Sequence, residues 1–129
     1  MNTPSYTLNE AMEIAMLAAH SRSVVCLEGS PGIDKSSIVE MIASALELPL
    51  YVINLPNHEC TNLTGLPWYD RDTHQTRFAP PAMLPTRPAV VFLDEITTAD
   101  TATKKAAQRL ILERRIGDYR LPEGSALIC

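Results

Sequence analysis

The sequence predicts an α/β fold built on a mainly parallel sheet, and three observations support this. Short apolar runs alternate with stretches of helical periodicity along the 129 residues. One apolar run leads through a glycine-containing loop into a helical pattern, and another ends in two adjacent acids. Ligands of such sheets bind at the carboxyl ends of the strands. The loop and the acids are therefore the candidate functional residues.

Composition indicates a globular protein, since 46% of the residues are hydrophobic and 20% are charged. The length fits one domain. Asp and Glu number 15 against 11 Lys and Arg, without a dense basic stripe, which argues against nucleic-acid binding. No apolar stretch approaches the roughly 18 residues of a membrane-spanning helix, so we expect no membrane association.

The N-terminus and the cysteines both favour a cytoplasmic location. Residues 1–5 lack the charged and apolar regions of a signal peptide. The three cysteines are an odd number without close pairing, at Cys26, Cys60 and Cys129. We therefore expect unlinked thiols in a reducing compartment.

The first elements are a helix, a strand and a second helix. Thr7 and Glu10 form a capping-box pattern that opens a helix over 7–21. An apolar strand is predicted at 24–29 and a helix at 35–47. Residues with helical spacing predict the buried face of this second helix, namely Ile38, Met41, Ile42, Ala45 and Leu46.

The loop over 29–36 matches a phosphate-binding loop in its position between a strand and a helix. Lys35 would neutralise the outer phosphates, and the Ser36 hydroxyl would bind Mg²⁺. The helix N-terminus adds a favourable dipole. The predicted nucleotide-binding residues are Gly29, Ser30, Pro31, Gly32, Ile33, Asp34, Lys35, Ser36 and Ser37.

Asp34 departs from this pattern, which requires glycine immediately before the lysine. A carboxylate about 5 Å from a phosphate charge costs roughly 3 kcal/mol at an effective dielectric constant of 20. This penalty corresponds to about a hundredfold in affinity. The sequence leaves open whether the Asp34 side chain faces the phosphates or points outward.

A second strand at 50–55 is followed by a long, proline-punctuated region over 56–88. Within it, about 66–78 predicts a β-hairpin. Trp68 and Tyr69 on this hairpin either cover the core or contact a partner. Both interpretations are open, although a loop region of this length is usually functional or disordered.

The third predicted strand spans 89–95 and ends in Asp94 and Glu95, about sixty residues after the loop. This spacing is typical of the second half of a nucleotide site. Asp94 is the candidate Mg²⁺ ligand, acting through water, and Glu95 is the candidate catalytic base for the attacking water. The alternative is a strand that merely ends in solvated acids.

A third long helix is predicted from Asp100 to Ile116 and ended by Gly117, before a last strand at 125–129. Arg114 and Arg115 could contact a neighbouring subunit's phosphate. The alternative is that they complement the dipole at the end of the helix.

Five segments of the sequence together resemble MoxR-type AAA+ ATPases across roughly residues 8–129. They are 29–36, 62–67, 78–85, 92–96 and 112–122. The resemblance implies a P-loop NTPase of three α/β/α layers, in which 29–36 is the Walker A loop and 89–95 the Walker B strand. It also implies that Lys35 and Ser36 contact phosphate and Mg²⁺, that Asp94 binds the metal, and that Glu95 is the base.

The same resemblance implies a function. Family members hydrolyse ATP with Mg²⁺, commonly assemble as hexameric rings, and act as chaperone-like remodellers of partner proteins, often of the von Willebrand A-domain type. By position, residues 62–69 would face the substrate.

The family's sheet continues beyond residue 129 into a sensor residue, a fifth strand, a trans-acting arginine and a helical lid. We therefore expect residues 1–129 to form an incomplete AAA+ domain that binds ATP without turning it over alone. A degenerate scaffold or interaction fragment without nucleotide chemistry is the alternative.

Overall fold

The computed structural model describes residues 7–21, 23–27 and 35–129. Its helices and strands, in chain order, are α1 Leu8–His20, α2 Lys35–Leu46, β1 Leu50–Asn54, α3 Cys60–Thr64, β2 Leu66–Asp70, β3 Gln75–Ala79, β4 Val90–Asp94, α4 Thr101–Glu113, β5 Arg115–Ile116, β6 Tyr119–Arg120 and β7 Ala126–Ile128. No helix within these ranges is both long enough and apolar enough to cross a membrane.

The main sheet has the order β1–β4–β7, and both of its strand pairs are parallel. Residues 24–27 extend it beyond β7, because Val25 forms a parallel bridge with Ile128. The Leu27 N–H donates to the Cys129 carbonyl at 2.6 Å, and the Cys129 N–H donates to the Val25 carbonyl at 2.9 Å. The predicted parallel α/β fold is confirmed.

Helices cover both faces of the sheet, because alternate strand residues point to opposite sides. On one face Val90, Phe92 and Ile128 share a cluster with α1 and α2 residues, including Ala15, Val39, Ile42 and Ala43. On the other face Ile53, Val91 and Leu93 pack with α3 and α4 residues, including Leu63, Ala107 and Leu110. The result is three α/β/α layers.

The buried face of α2 is rotated from the predicted one. Met41 is 43% exposed and Ala45 is exposed, whereas Val39 and Ala43 are buried beside Ile42. The prediction was right for Ile42, and for Ile38 and Leu46, which are partly buried against the same cluster. It was wrong for Met41 and Ala45, because α2 carries apolar residues on more than one face. Helical periodicity alone therefore does not show which of two overlapping apolar faces of α2 is buried.

The helix predicted to continue to Ile116 ends at Glu113 instead. Arg114 takes a left-handed conformation with φ 55°, and its N–H donates to the Leu110 carbonyl at 2.9 Å. Strands β5 and β6 then pair around a tight turn, where Gly117 has φ 57°. Gly117 thus serves a hairpin turn rather than the helix end.

Cys26 and Cys129 form a disulfide, and Cys60 is free. The expectation of three unlinked cysteines was therefore wrong. Segment 24–27 and the chain after β7 lie side by side, which brings the two Cα atoms to 4.4 Å despite a separation of 103 residues. The cysteine content no longer supports a reducing compartment.

Tyr119 predicts a loss of stability at alkaline pH. Its buried hydroxyl donates to the Pro85 carbonyl at 2.6 Å. Burial, and then the charge of Tyr51, raises the pKa of Tyr119 from 10.0 to about 12. A raised folded-state pKa gives stability that is fully present below the unfolded value and is lost as pH rises through the folded one. We expect the free energy of unfolding to fall between about pH 10 and 12.

Urea unfolding at a series of pH values measures this loss, and Tyr119→Phe should remove the part that depends on the hydroxyl. The control is Tyr69→Phe, whose exposed hydroxyl lies 2.9 Å from His74 Nδ1. An identical alkaline loss in the wild type and Tyr119→Phe would contradict the assignment to Tyr119.

Candidate functional site

The centre of the candidate site is the carboxyl edge of the main sheet, where β4 ends at Asp94. Asp94 is partly buried and pairs in register with Asn54, the last residue of the neighbouring strand β1. Chain directions in a parallel sheet agree, so both side chains lie at the same edge. A polar pair at this position fits the usual place of a ligand in such folds.

The N-terminus of α2 lies at the same edge. Leu46, in the last turn of α2, packs in one cluster with Leu50 at the start of β1. The end of α2 is therefore at the amino edge of the sheet, and its beginning is at the carboxyl edge. Lys35 and Ser36, in its first turn, accordingly lie at the edge where Asp94 ends β4.

Asp94 also lies on the face that α2 covers. Val90 and Phe92, at alternate positions of the same strand, pack against Val39 and Ile42 of α2. Asp94 continues this alternation and points to the same side. In the sheet, β7 lies between β4 and segment 24–27, so these two strands are two strand spacings apart, or about 10 Å. The segment that precedes the predicted loop is therefore close to the strand that ends in Asp94.

The predicted loop itself falls outside the described residues. This applies to Gly29, Ser30, Pro31, Gly32, Ile33 and Asp34, whose roles stay predictions. Lys35 is partly buried, and Ser36 and Ser37 are exposed, all in the first turn of α2. An exposed hydroxyl and a lysine at a helix N-terminus fit the binding of a phosphate and its cation.

Glu95 has an unusual backbone conformation for a residue other than glycine. Its φ of 54° and ψ of 43° are left-handed, and it precedes a short 3₁₀ helix at Ile96–Thr98. The N–H and the hydroxyl of Thr98 donate to the Glu95 carbonyl at 3.1 and 3.0 Å. Residues held in such sparsely populated conformations cluster at functional sites. The exposed Glu95 side chain sits directly beside Asp94.

The chain after Glu95 is anchored by the start of α4. Asp100 caps this helix, accepting a hydrogen bond from the Thr103 N–H at 2.7 Å. That bond holds the pKa of Asp100 below its ordinary value. The Thr103 hydroxyl donates to the His58 carbonyl at 3.2 Å. The segment that carries Glu95 therefore runs from the paired strand β4 to the capped start of α4.

The two arginines after α4 interact within the chain. Arg114 donates from Nη2 to the Ser125 carbonyl at 2.5 Å and is partly buried. Arg115 forms an exposed ion pair with Glu113, at 3.5 Å between Nε and Oε2. Arg114 therefore fastens the end of α4 to the turn before β7, which does not favour a contact with a neighbour's phosphate.

Most apolar side chains of the β2–β3 hairpin are exposed, whereas Phe78 on β3 is partly buried. Leu66 is 70% exposed, Trp68 50% and Tyr69 58%, so the two aromatic residues do not cover the core. At the base, Asp118 accepts a hydrogen bond from the Phe78 N–H at 3.0 Å. Asp118 Oδ2 also lies 3.5 Å from the Arg77 guanidinium. The β5–β6 turn thus holds the hairpin in place.

A groove of about 380 Å³ lies beside this base. Its lining comes from the α3 region and the chain after β3, and includes His58, Thr61, Asn62, Gly65 and residues 79–83. The polar residues at the carboxyl edge, Lys35, Ser36 and Asp94, are not among its lining residues. Sequence periodicity did not predict it, because it depends on where the hairpin crosses α3.

Comparison with known proteins decides the family. The family model described as AAA domain (dynein-related subfamily) matches residues 24–126. The chain belongs to this AAA family. The match spans both halves of the predicted site, from the strand before the loop to beyond Asp94 and Glu95.

Among solved structures, the AAA domain is similar to a protein described as a "putative ATPase" from Cytophaga hutchinsonii. The TM-score is 0.62 at 16% sequence identity, which shows a shared fold. The alignment covers 94% of this chain and 41% of the other, so this chain spans less than half of its length. No curated protein matches.

The residues at the carboxyl edge fit Mg²⁺ and a nucleotide chemically. Mg²⁺ prefers oxygen ligands and keeps several of its waters. Asp94 and Ser36 offer a carboxylate and a hydroxyl oxygen at this edge, and Lys35 offers the positive charge that phosphates require. Use of a nucleotide and Mg²⁺ is what membership in this AAA family suggests.

Proposed function

We propose that this AAA domain is the ATP-binding part of a MoxR-like ATPase that couples ATP hydrolysis to the remodelling of partner proteins. One observation carries the proposal. The parallel strand order and the direction of α2 bring Lys35, Ser36 and Asp94 to one edge and one face of the sheet.

Each residue has a distinct chemical role in this proposal. Lys35 neutralises the outer phosphates, and Ser36 and Asp94 hold the metal, with Asp94 acting through water. Bound Mg²⁺ stabilises the negative charge that develops on the phosphates. Glu95 orients the attacking water and accepts its proton.

The exposed hairpin supplies the contact to the partner. Leu66 and Trp68, at alternate positions of β2, offer an apolar surface on one face of the hairpin. The base of this hairpin is held by Asp118. We assign residues 62–69 to the protein substrate or adaptor, with von Willebrand A-domain proteins as the candidate class. A homo-oligomeric ring, with turnover completed by segments outside this chain, belongs to the same proposal.

Binding of a fluorescent ATP analogue tests the nucleotide site. Lys35→Ala should weaken Mg²⁺-dependent binding by about a hundredfold, because a unit charge about 5 Å from a phosphate contributes roughly 3 kcal/mol. The matched control is Lys104→Ala, since Lys104 is also a partly buried helix lysine, on α4. It should bind as the wild type does. Equal affinity in both variants would show that Lys35 does not contact the phosphates.

Asp34 favours a second candidate function, a scaffold that keeps the fold without nucleotide chemistry. A carboxylate in the loop opposes the charge of Lys35. A scaffold predicts no saturable binding of the analogue by the wild type or by either lysine variant. Circular dichroism of the same samples would establish that the protein is folded.

A further inference from the structure

The Cys26–Cys129 disulfide ties down the segment that leads into the predicted phosphate loop. Cys26 lies three residues before the first glycine of that loop, and Cys129 follows directly after β7. The two cysteines are neighbours across the sheet, because Val25 forms its bridge with Ile128. The bond therefore holds segment 24–27 against β7 close to the start of the loop.

Segment 24–27 is otherwise attached to the sheet on one side. Within the described residues, no strand pairs with its outer side, and three backbone hydrogen bonds join it to the chain from β7 onwards. Besides the two short bonds between this segment and Cys129, the Val25 N–H donates to the Leu127 carbonyl at 3.4 Å. The residues of the segment are partly buried or exposed. Segments with few buried contacts and few hydrogen bonds open at a low cost in free energy.

The disulfide is accessible from solvent on the side of Cys26. Cys26 is exposed, whereas Cys129 is partly buried against the cluster that contains Leu127 and Leu110. A thiolate opens a disulfide by attacking one of its sulfur atoms, and exposed disulfides are the labile ones. A reductant should therefore attack Cys26 Sγ, with Cys129 Sγ as the leaving group.

We propose that the Cys26–Cys129 disulfide is a redox switch, which a dithiol opens to release segment 24–27 from β7 and thereby weaken nucleotide binding. This inference rests on the proposed function. The switch acts on the nucleotide site because the chain continues from this segment through the predicted loop to Lys35.

The bond opens by two successive thiol–disulfide exchanges. One thiolate of the dithiol attacks Cys26 Sγ, the bond between the two cysteines breaks, and Cys129 Sγ leaves as a thiolate that takes a proton from water. The second thiolate of the reductant then attacks its own partner sulfur in the mixed disulfide. This step releases Cys26 as a thiolate, which is protonated in turn. Two electrons and two protons have passed to the protein, and the dithiol has become a disulfide.

Opening of the bond lowers the fraction of molecules that can bind the nucleotide. Binding requires the loop and Lys35 to meet the phosphates at the edge where Asp94 ends β4. The apparent affinity falls in proportion to the fraction of molecules in the competent arrangement. A reduced protein with segment 24–27 in place in about one molecule in ten would bind about tenfold more weakly.

The test compares binding of a fluorescent ATP analogue with Mg²⁺ by the full chain in oxidised and in reduced dithiothreitol. Reduction should raise the dissociation constant by about tenfold. Cys26→Ser should bind in both buffers as the reduced wild type does. The matched control is Cys60→Ser, which removes the free thiol, and it should respond to reduction as the wild type does.

Two measurements without nucleotide separate a switch from a purely structural disulfide. Alkylation and mass spectrometry should detect the thiols of Cys26 and Cys129 in reduced dithiothreitol without denaturant. The Leu27 N–H, which donates to the Cys129 carbonyl, should then exchange faster with solvent. The amides of β4, the central strand, should stay protected.

Equal affinities of the oxidised and the reduced wild type would overturn the inference and leave the proposed function standing. Thiols that react only in denaturant would do the same, because the bond would then be purely structural. A loss of protection in β4 on reduction would show that the disulfide supports the whole fold, which contradicts a local switch. A wild type without saturable binding in either buffer would overturn the proposed function and the inference together.

Discussion

Replacing Asp34 by glycine should tighten the binding of an ATP analogue by up to about a hundredfold. The phosphate-binding pattern has glycine at this place, directly before Lys35. A carboxylate about 5 Å from a phosphate charge costs roughly 3 kcal/mol at an effective dielectric constant of 20. Removal of this repulsion leaves the Lys35 charge unopposed at the start of α2.

Asp34→Asn separates the charge from the backbone effect. The amide has nearly the shape of the carboxylate and carries no charge, so this variant should recover most of the gain if repulsion is the cause. Any further gain in Asp34→Gly would come from backbone freedom, because glycine adopts left-handed conformations without a steric cost. Fluorescence titration with Mg²⁺ measures all three proteins.

The dependence of affinity on salt concentration is a second test of whether charge repulsion by Asp34 is the cause. The difference between the wild type and Asp34→Asn should shrink as ionic strength rises, because salt screens exposed charges. Unchanged affinity in both variants would show that the carboxylate points away from the phosphates. No saturable binding in any of the three proteins would favour the scaffold.

Short sequence patterns correctly predicted the elements of this fold that depend mainly on neighbouring residues. The capping pair at Thr7 and Glu10 is present at the start of α1, with mutual hydrogen bonds of 3.4 and 3.3 Å. The apolar run before Asp94 is a buried strand, and its neighbours run parallel to it. A polar residue that follows a strand is predicted to lie at the carboxyl edge of the sheet, because this position depends only on the direction of the chain.

The features that the sequence did not predict depend on contacts between distant segments or on competition between local signals. Cys26 meets Cys129 because the sheet order places their segments side by side. Asn54 resembles any polar residue after a strand until the register sets it against Asp94. The hairpin around Gly117 had a signal, since Gly-Asp between apolar residues favours a tight turn. Helical periodicity continuing to Ile116 obscured it.

Replacing Gly65 by alanine should destabilise the fold by about 3 kcal/mol or more, through overpacking and a backbone conformation almost restricted to glycine. Gly65 ends α3 with φ 87° and ψ 178°, and its N–H donates to the Thr61 carbonyl at 2.9 Å. A Cβ built there would lie 1.9 Å from the Ala79 carbonyl oxygen. A backbone atom cannot give way as a flexible side chain can.

Gly124→Ala is a matched control for this substitution. Gly124 has φ 85°, and its added Cβ would meet nothing closer than Pro88 Cβ at 3.7 Å. It therefore incurs the conformational cost without the collision, on the order of 1 kcal/mol. Thermal unfolding should show a drop of about 10 °C or more for Gly65→Ala and a drop of a few degrees for the control. Equal drops would mean that the approach to Ala79 contributes nothing.

Gly65 also lies next to the exposed hairpin, so Gly65→Ala should disturb the base of the hairpin as well as lower the stability of the fold. Leu66 and Ala79 form the first pair of that hairpin, so a displaced Ala79 carbonyl shifts its base. The Phe78 N–H, which donates to Asp118, should then exchange faster with solvent in Gly65→Ala than in Gly124→Ala. Nucleotide affinity should change little in the folded fraction, because Gly65 follows α3 and Ala79 ends β3, whereas Lys35 and Asp94 lie on α2 and β4. A parallel loss of affinity would show that the hairpin and the nucleotide site are coupled.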